Sequence, residues 1–334
     1  MESKKSPLFI IGITRSGTTI SHDMVMKACP EAIDLTSDDD FECRNFWQAF
    51  GLTIGSRRTG SLCECATKDD INTASKKEIQ NYVSLRHAQG GIITKNPHLL
   101  NKISYVANTL PDAKFILIVR DIMGVVASEK VGFNHAYKGD EDSLPFVHYW
   151  PDTNLPCWSY IQCDHKENQI TEPSILVKVK SMVKKVIVNL KNKSLKEPGK
   201  VFSHQKFSEF SKSHPDKTRY YPGDGFHRIP ESWITLNLNA INQLKELESS
   251  RWMTIAYNDL VDDTKGVVNK ILTFSGYEAP ELEALPEQLN KASADKWRKN
   301  LSEEEQNIVR AVIKNNSEAF DTICNIVGSN MLAD

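Results

Sequence analysis

Apolar residues in this chain fall into short continuous runs that alternate with longer periodic stretches. Leu8 to Ile13 (LFIIGI) is apolar throughout and rich in β-branched residues, the pattern of a strand covered on both faces. Thr18 to Ala28 follows with an apolar stripe at Met24, Val25 and Ala28, and Pro30 stops that helix. Gly91 to Lys95 predicts a second strand, and the residues after Pro97 predict a helix through Leu99, Ile103, Val106 and Leu110. Ala113 to Val119 (AKFILIV) is the strongest strand signal, and a helix restarts around Val125 and Val126. From Glu129 to about Glu231 the alternation breaks into a stretch rich in Lys, Ser, His and Pro, with one short periodic piece at Ile175 to Leu190. Order returns with a helix at Trp233 to Leu247, a strand at Met253 to Tyr257 and a helix at Val267 to Phe274.

Strand, loop and helix in alternation predict a three-layer α/β fold, with a mostly parallel sheet flanked by helices and ligands at the carboxyl ends of its strands. At 334 residues the chain suits one enlarged domain, with 129–231 as an insertion or lid facing the second substrate. Hydrophobic residues make up 40% and charged residues 25%, as in an ordinary globular protein, and no apolar run approaches the ~20 residues that span a bilayer. The apolar N-terminal run reads as a core strand and not as a signal peptide, so the expected location is cytoplasmic, with no membrane partner. A formal net charge of -2 leaves no basic field for a nucleic acid, so any anion site is local. The seven cysteines (Cys29, Cys43, Cys63, Cys65, Cys157, Cys163, Cys324) lack the spacing of a metal site or disulfide framework, and no metal is expected.

Arg15, Lys95 and Arg120 each stand directly after a predicted strand, where a ligand would meet them. Gly12-Ile13-Thr14-Arg15-Ser16-Gly17-Thr18-Thr19 lies between a strand and a helix, in the frame of a phosphate-binding loop. Its glycines let successive N–H groups converge on a phosphate at the positive end of the helix. Thr18 occupies the place where nucleoside triphosphatases carry lysine, and the cation has moved to Arg15. That shift weakens a kinase reading and suits a phosphosulfate, whose bridging oxygen needs a cationic partner as the sulfuryl group departs. Arg120 offers a planar fork at a strand end, and Ser128 lies two helical turns on, facing the same side.

These segments resemble the sulfotransferases that use 3'-phosphoadenosine 5'-phosphosulfate (PAPS), many of which carry a donor loop reading R-S-G-T-T. Thr94-Lys95-Asn96-Pro97 and then Phe115 to Asp121 with Ser128 resemble the family's second cassette. The resemblance implies that Arg120 and Ser128 hold the 3'-phosphate of the donor and of its product, PAP. It further implies that Tyr257, in Tyr257-Asn258-Asp259-Leu260, meets the nucleotide, and that Ser293 and Lys296 belong to a late loop closing over the phosphates. Lys95 makes the spacing most similar to the bacterial and tyrosylprotein branches.

Sulfuryl transfer, like phosphoryl transfer, depends mainly on positioning and charge stabilisation, so Arg15 and Lys95 are expected to be catalytic. The general base implied by the resemblance falls at Thr36 or Ser37, which cannot serve, and Asp38, Asp39, Asp40 and Glu42 follow directly. Asp38 is nearest and Asp40 is the alternative; a solvated acidic loop is the plainer reading of the run. His98 and His22 are rival bases, and Tyr149, Trp150 and Trp158 could wall an acceptor pocket. The carboxylates favour a small, polar or cationic acceptor bearing a hydroxyl or amine, such as a guanidinium alkaloid. Two other classes remain open: a nucleotide or metabolite kinase, with Asp121 as its metal ligand, and a non-catalytic PAP-binding protein. Oligomeric state is left open.

Overall fold

The computed structural model describes residues 5–35, 66–137, 227–290 and 296–329, together with 43, 46, 47, 50, 52 and 331. Among them four strands form one parallel sheet: β1 (Leu8–Ile11), β2 (Ile93–Lys95), β3 (Lys114–Val119) and β4 (Trp252–Ala256), in the order β2-β1-β3-β4. Registers such as Ile10 opposite Lys95 and Ile10 opposite Ile116 place the carboxyl ends of β2, β1 and β3 side by side. The chain leaves β1 toward β2 and returns across the sheet to β3. The β1/β3 boundary is therefore the point where connections diverge and a crevice opens.

Side chains alternate across this sheet, as the pleat requires. Phe9, Ile11, Phe115, Leu117 and Val119 enter one core layer with α2 (Thr73–Gly90), α3 (Ile103–Thr109), α4 (Ile122–Tyr137) and α5 (Arg228–Lys245). The helices α9 (Glu303–Asn315) and α10 (Ser317–Val327) complete that layer. Leu8, Ile10, Ile93, Ile116, Ile118 and Ile255 enter the other, with α1 (Thr18–Ala28), α6 (Tyr257–Asp262) and α7 (Thr264–Ser275). The architecture is the α/β three-layer arrangement expected, with β1, β2 and nearly all of β3 buried on both faces and the edge strand β4 half-buried over its first three residues.

Local boundaries differ from the expectations for identifiable reasons. The first strand ends at Ile11, because the Ile13 carbonyl accepts both the backbone N–H and the hydroxyl of Ser16, at 3.2 and 2.7 Å, and turns the chain. After β2 the predicted helix is split. Asn96 caps a single 3₁₀ turn, Pro97–Leu99, and α3 starts only at Ile103. The helices flanking the 129–231 segment reach into it, α4 to Tyr137 and α5 from Arg228; residues 138–226 lie outside the described residues. Unforeseen α2 buries only Ile79 and Val83, too sparse an apolar stripe to announce itself. By contrast α9 carries a readable start, a capping box in which Ser302 and Glu305 satisfy each other's backbone N–H. The short α8 (Trp297–Asn300) packs against α4. No helix among the described residues is long and apolar enough to cross a membrane.

Gly91 joins α2 to β2 at φ 95 and ψ 152, a conformation essentially restricted to glycine. The Tyr277 ring lies where a Cβ would go, and its hydroxyl donates to the Ile92 carbonyl at 2.9 Å. Gly91→Ala is expected to destabilise the fold by about 1 to 3 kcal/mol, from the backbone strain alone. Chemical denaturation checks this, with an unchanged midpoint as the contrary result.

Candidate active site

The turn set by Ser16 gives the loop after β1 its shape. Arg15 takes φ 63 and Gly17 φ 94, so the backbone curls twice into the left-handed region before α1 begins at Thr18. Arg15 is the rare non-glycine residue held there, a cost of about 1 kcal/mol or more that surrounding contacts must offset. Ser16 and Thr18 are buried beneath the loop, Thr14 is half-buried, and Arg15 and Thr19 face solvent. The first turn of α1 thus presents its N–H groups toward a loop crowned by a cation.

Arg120, the residue after β3, reaches across the crevice. Its Nη1 donates to the Arg15 carbonyl at 3.3 Å, and its guanidinium lies over the Tyr257 ring, 5.0 Å from the centroid. Tyr257, at the start of α6 after β4, lies against Gly17 so closely that a Cβ there would enter its ring. The Trp233 indole donates to the Arg120 carbonyl at 3.1 Å, fixing the same residue from α5. Four residues picked from sequence, Arg15, Gly17, Arg120 and Tyr257, therefore form one contiguous group.

Asp121 is committed elsewhere. Its Oδ1 accepts the Gly124 N–H at 2.5 Å, the geometry of an N-cap on α4, and Oδ2 lies 3.6 Å from the Arg120 Nε. Burial pushes its carboxyl above the usual range, against the pull of that N–H and of Arg120. A buried cap is a poor metal ligand, which removes the residue that a kinase reading requires. Among the described residues no group of three or more His, Cys, Asp or Glu is placed to hold a metal ion.

Lys95 ends β2 beside β1 and is buried, 5% exposed. Ser128 lies half-buried on α4, and exposed Lys296 directly precedes α8, which packs on that helix. His98 is buried within the 3₁₀ turn after β2. His22 lies with Nε2 3.4 Å from Asp34 Oδ2 and 3.4 Å from the Ile93 carbonyl. Asp34 also accepts from Cys43 Sγ at 3.3 Å, and Cys43 meets Thr94 Oγ1 at 3.1 Å. Asp38, Asp39, Asp40, Glu42 and Ser293 lie outside the described residues, as do Tyr149, Trp150 and Trp158.

Sequence reasoning passed over Glu129. One turn beyond Val125 on α4, it is 8% exposed, and its Oε1 has no hydrogen-bond partner among the described residues. Burial raises its carboxyl above the ordinary range. The available signal was a lone carboxylate closing the apolar run Met123 to Ala127.

A curled loop at a helix N-terminus, an exposed arginine on it and an Arg–Tyr stack across the switch point form an arrangement suited to holding an anionic ligand at the carboxyl edge of an α/β sheet. The sequence model of the sulfotransferase family matches residues 7–153 of this chain, the segment that carries β1 to β3 and the donor-like loop. No curated protein is matched. Among solved structures, the chain is similar to the sulfotransferase domain of the Synechococcus PCC 7002 olefin synthase at 16% identity and a TM-score of 0.41, covering 94% of this chain and 96% of that one. The sulfotransferase domain of the curacin biosynthetic pathway matches at 14% identity and a TM-score of 0.41, covering 94% and 98%. STF1 from Mycobacterium tuberculosis H37Rv matches at 14% and 0.41, covering 95% and 78%. Likenesses this distant say nothing about the acceptor.

Gly17→Ala would force a methyl group into the Tyr257 ring from a left-handed backbone position. PAP affinity is expected to fall by about tenfold or more, the equivalent of the ~1 to 3 kcal/mol of strain at such a site. Calorimetric titration checks this; affinity equal to that of the wild type would show that the ring and loop do not shape the site together.

Proposed function

We propose that this protein transfers a sulfuryl group from PAPS to a hydroxyl or amine of a small polar or cationic acceptor, releasing PAP. The observation that carries the reading is the Arg120 guanidinium bridging the Arg15 carbonyl and the Tyr257 ring. It is a planar cation already held at the crevice where a nucleotide phosphate would lie. On this reading the N–H groups of Thr14 to Thr19 and the α1 N-terminus hold the 5'-phosphosulfate, while Arg120 and Ser128 take the 3'-phosphate. Tyr257 lies along the nucleotide, and Ser293 and Lys296 close over it.

PAPS supplies an activated sulfuryl group whose departure leaves negative charge on the bridging oxygen. Arg15 is exposed at the loop crown and Lys95 ends the neighbouring strand, so both can meet that charge as it develops. A carboxylate takes the acceptor proton in this proposal, with Asp38 or Asp40 as the candidates, and the acidic run favours a neutral or cationic acceptor such as a guanidinium-bearing metabolite.

The donor assignment has two measurable consequences. PAP should raise the melting temperature well beyond ATP with Mg²⁺, since ligand linkage gives ~2.7 kcal/mol at a hundredfold excess over Kd and only PAP carries a 3'-phosphate. Equal shifts by thermal scanning would overturn the assignment. Arg15→Ala and Lys95→Ala should each lower turnover by about 10²- to 10³-fold while weakening PAP binding far less. A steady-state assay with a verified acceptor decides it, and near-full turnover in either variant would strike that residue from the mechanism.

For the acceptor, a screen of phenols, steroids, anionic sugars and cationic metabolites should favour the cationic set. Asp38→Asn or Asp40→Asn should lower turnover by about 10²-fold or more, the worth of a placed base. Preferential sulfation of flat phenols, with both variants fully active, would refute this part.

A further inference from the structure

Where β3 gives way to α4, the backbone of residues 120–122 is held from two sides. The Arg120 carbonyl accepts the Trp233 indole N–H from α5 at 3.1 Å. Two residues on, the Ile122 N–H donates to the Met331 carbonyl at 2.9 Å. That N–H belongs to the first turn of α4, where a helix has no acceptor of its own to offer, and Asp121 is already spent on Gly124. Both contacts lead to one part of the chain. The Trp233 ring packs on Phe320 of α10, with centroids 5.8 Å apart, and Met331 follows α10 after Gly328 turns the backbone at φ 75. Thr254 of β4 donates its hydroxyl to the Ile326 carbonyl at 3.1 Å, which fastens the last turn of α10 to the strand leading into Tyr257. Ile122, Trp233, Phe320 and Met331 are all buried.

We infer that α10 and Met331 brace the nucleotide site from behind: Trp233 and Met331 are positioning residues that set Arg120, and through it the selectivity for a nucleotide bearing a 3'-phosphate. This rests on the reading of Arg120 as the group that meets that phosphate. The pairing of β3 with β4 ends at Val119 opposite Ala256, so Arg120 stands one residue past the ladder. The two contacts take over where the sheet stops holding the backbone. A guanidinium at the end of a long side chain keeps both the Arg15 carbonyl and the Tyr257 ring only if its origin is fixed, because each free torsion adds conformations to be lost on binding. Both contacts fall on 120–122 and not on the loop proposed for the 5' group, so their loss is expected to show at one end of the nucleotide.

Calorimetric titration of the full chain with PAP and with AMP, the same nucleotide without its 3'-phosphate, tests this. Trp233→Phe keeps a ring against Phe320 and removes the indole N–H. Ile122→Pro removes the N–H at the first helical position, which proline tolerates, and Ile122→Val is trimmed to similar size but keeps it. Trp233→Phe and Ile122→Pro should each weaken PAP by about five- to tenfold, the worth of one hydrogen bond, and leave AMP within about twofold. Ile122→Val should stay within about twofold for both. In an Arg120→Ala background the same two substitutions should weaken PAP by no more than about twofold further, because they act through the missing side chain. A role in stability alone would lower the melting temperature and weaken the two nucleotides alike or not at all, and either result overturns the inference. So would Ile122→Val as weak as Ile122→Pro, or full losses that persist without Arg120. If Ile122→Pro fails to fold, Trp233→Phe and its double variant with Arg120→Ala decide. Wild-type protein that binds AMP as tightly as PAP, or fails to bind PAP, would instead remove the reading of Arg120 beneath it.

Discussion

The Arg120 guanidinium has the Tyr257 ring below it at 5.0 Å and the Arg15 carbonyl within hydrogen-bond reach at 3.3 Å, and through these contacts the ends of β1, β3 and β4 meet. Lysine could not replace it, because a point charge on a flexible stem offers neither a flat face for the ring nor a fork of fixed donors. The sheet order is what makes the meeting possible. With β1 next to β3, the loop that binds and the residue that braces emerge on the two sides of one crevice. Trp233 then fixes the Arg120 backbone, so the guanidinium starts from a rigid origin.

How much of this was legible depended on what signal each part leaves. Parallel strands covered on both faces must be continuously apolar, so LFII and KFILIV announced themselves, and with them the places of Arg15 and Arg120. The Gly12 to Thr19 frame was readable because a phosphate loop needs small residues at fixed spacing. Strand ends were less so: Ile13 looks like strand, but the Ser16 hydroxyl draws its carbonyl into a turn that hydrophobicity does not encode. The polar helix α2 leaves almost no stripe, whereas the capping box of α9 did leave a signature. Tyr257 could be picked out by resemblance, yet its stacking under Arg120 is a tertiary fact with no local signal.

Glu129 and Asp121 look alike in sequence, both being carboxylates at either end of an apolar helix segment, and burial raises both. Their surroundings separate them. Asp121 spends one oxygen on the Gly124 N–H and stabilises a helix start, a role that any N-cap would explain. Glu129 stands within the helix, where no backbone N–H is free to reward it, and its Oε1 has no hydrogen-bond partner among the described residues. A costly polar group with no local justification is the kind of exception that marks function.

The position of the loop cation bears on which group is transferred. A lysine directly after the second glycine would rise from the first turn of α1 and sit among the phosphates; here that place is Thr18, which is buried. The charge is displaced three residues back to Arg15, outside the helix and exposed at the crown of the loop. On the proposed reading a cation there meets the group projecting beyond the helix-bound phosphate, and β2 brings Lys95 to the adjoining strand end. Two cations flanking the outer part of an anhydride favour cleavage of the bond between the bound phosphate and its terminal group, with the charge falling on the bridging oxygen between them. On the proposed reading that placement suits a terminal sulfuryl, which carries less charge than a phosphoryl, and Asp121, engaged as a cap, is in no position to hold a divalent ion.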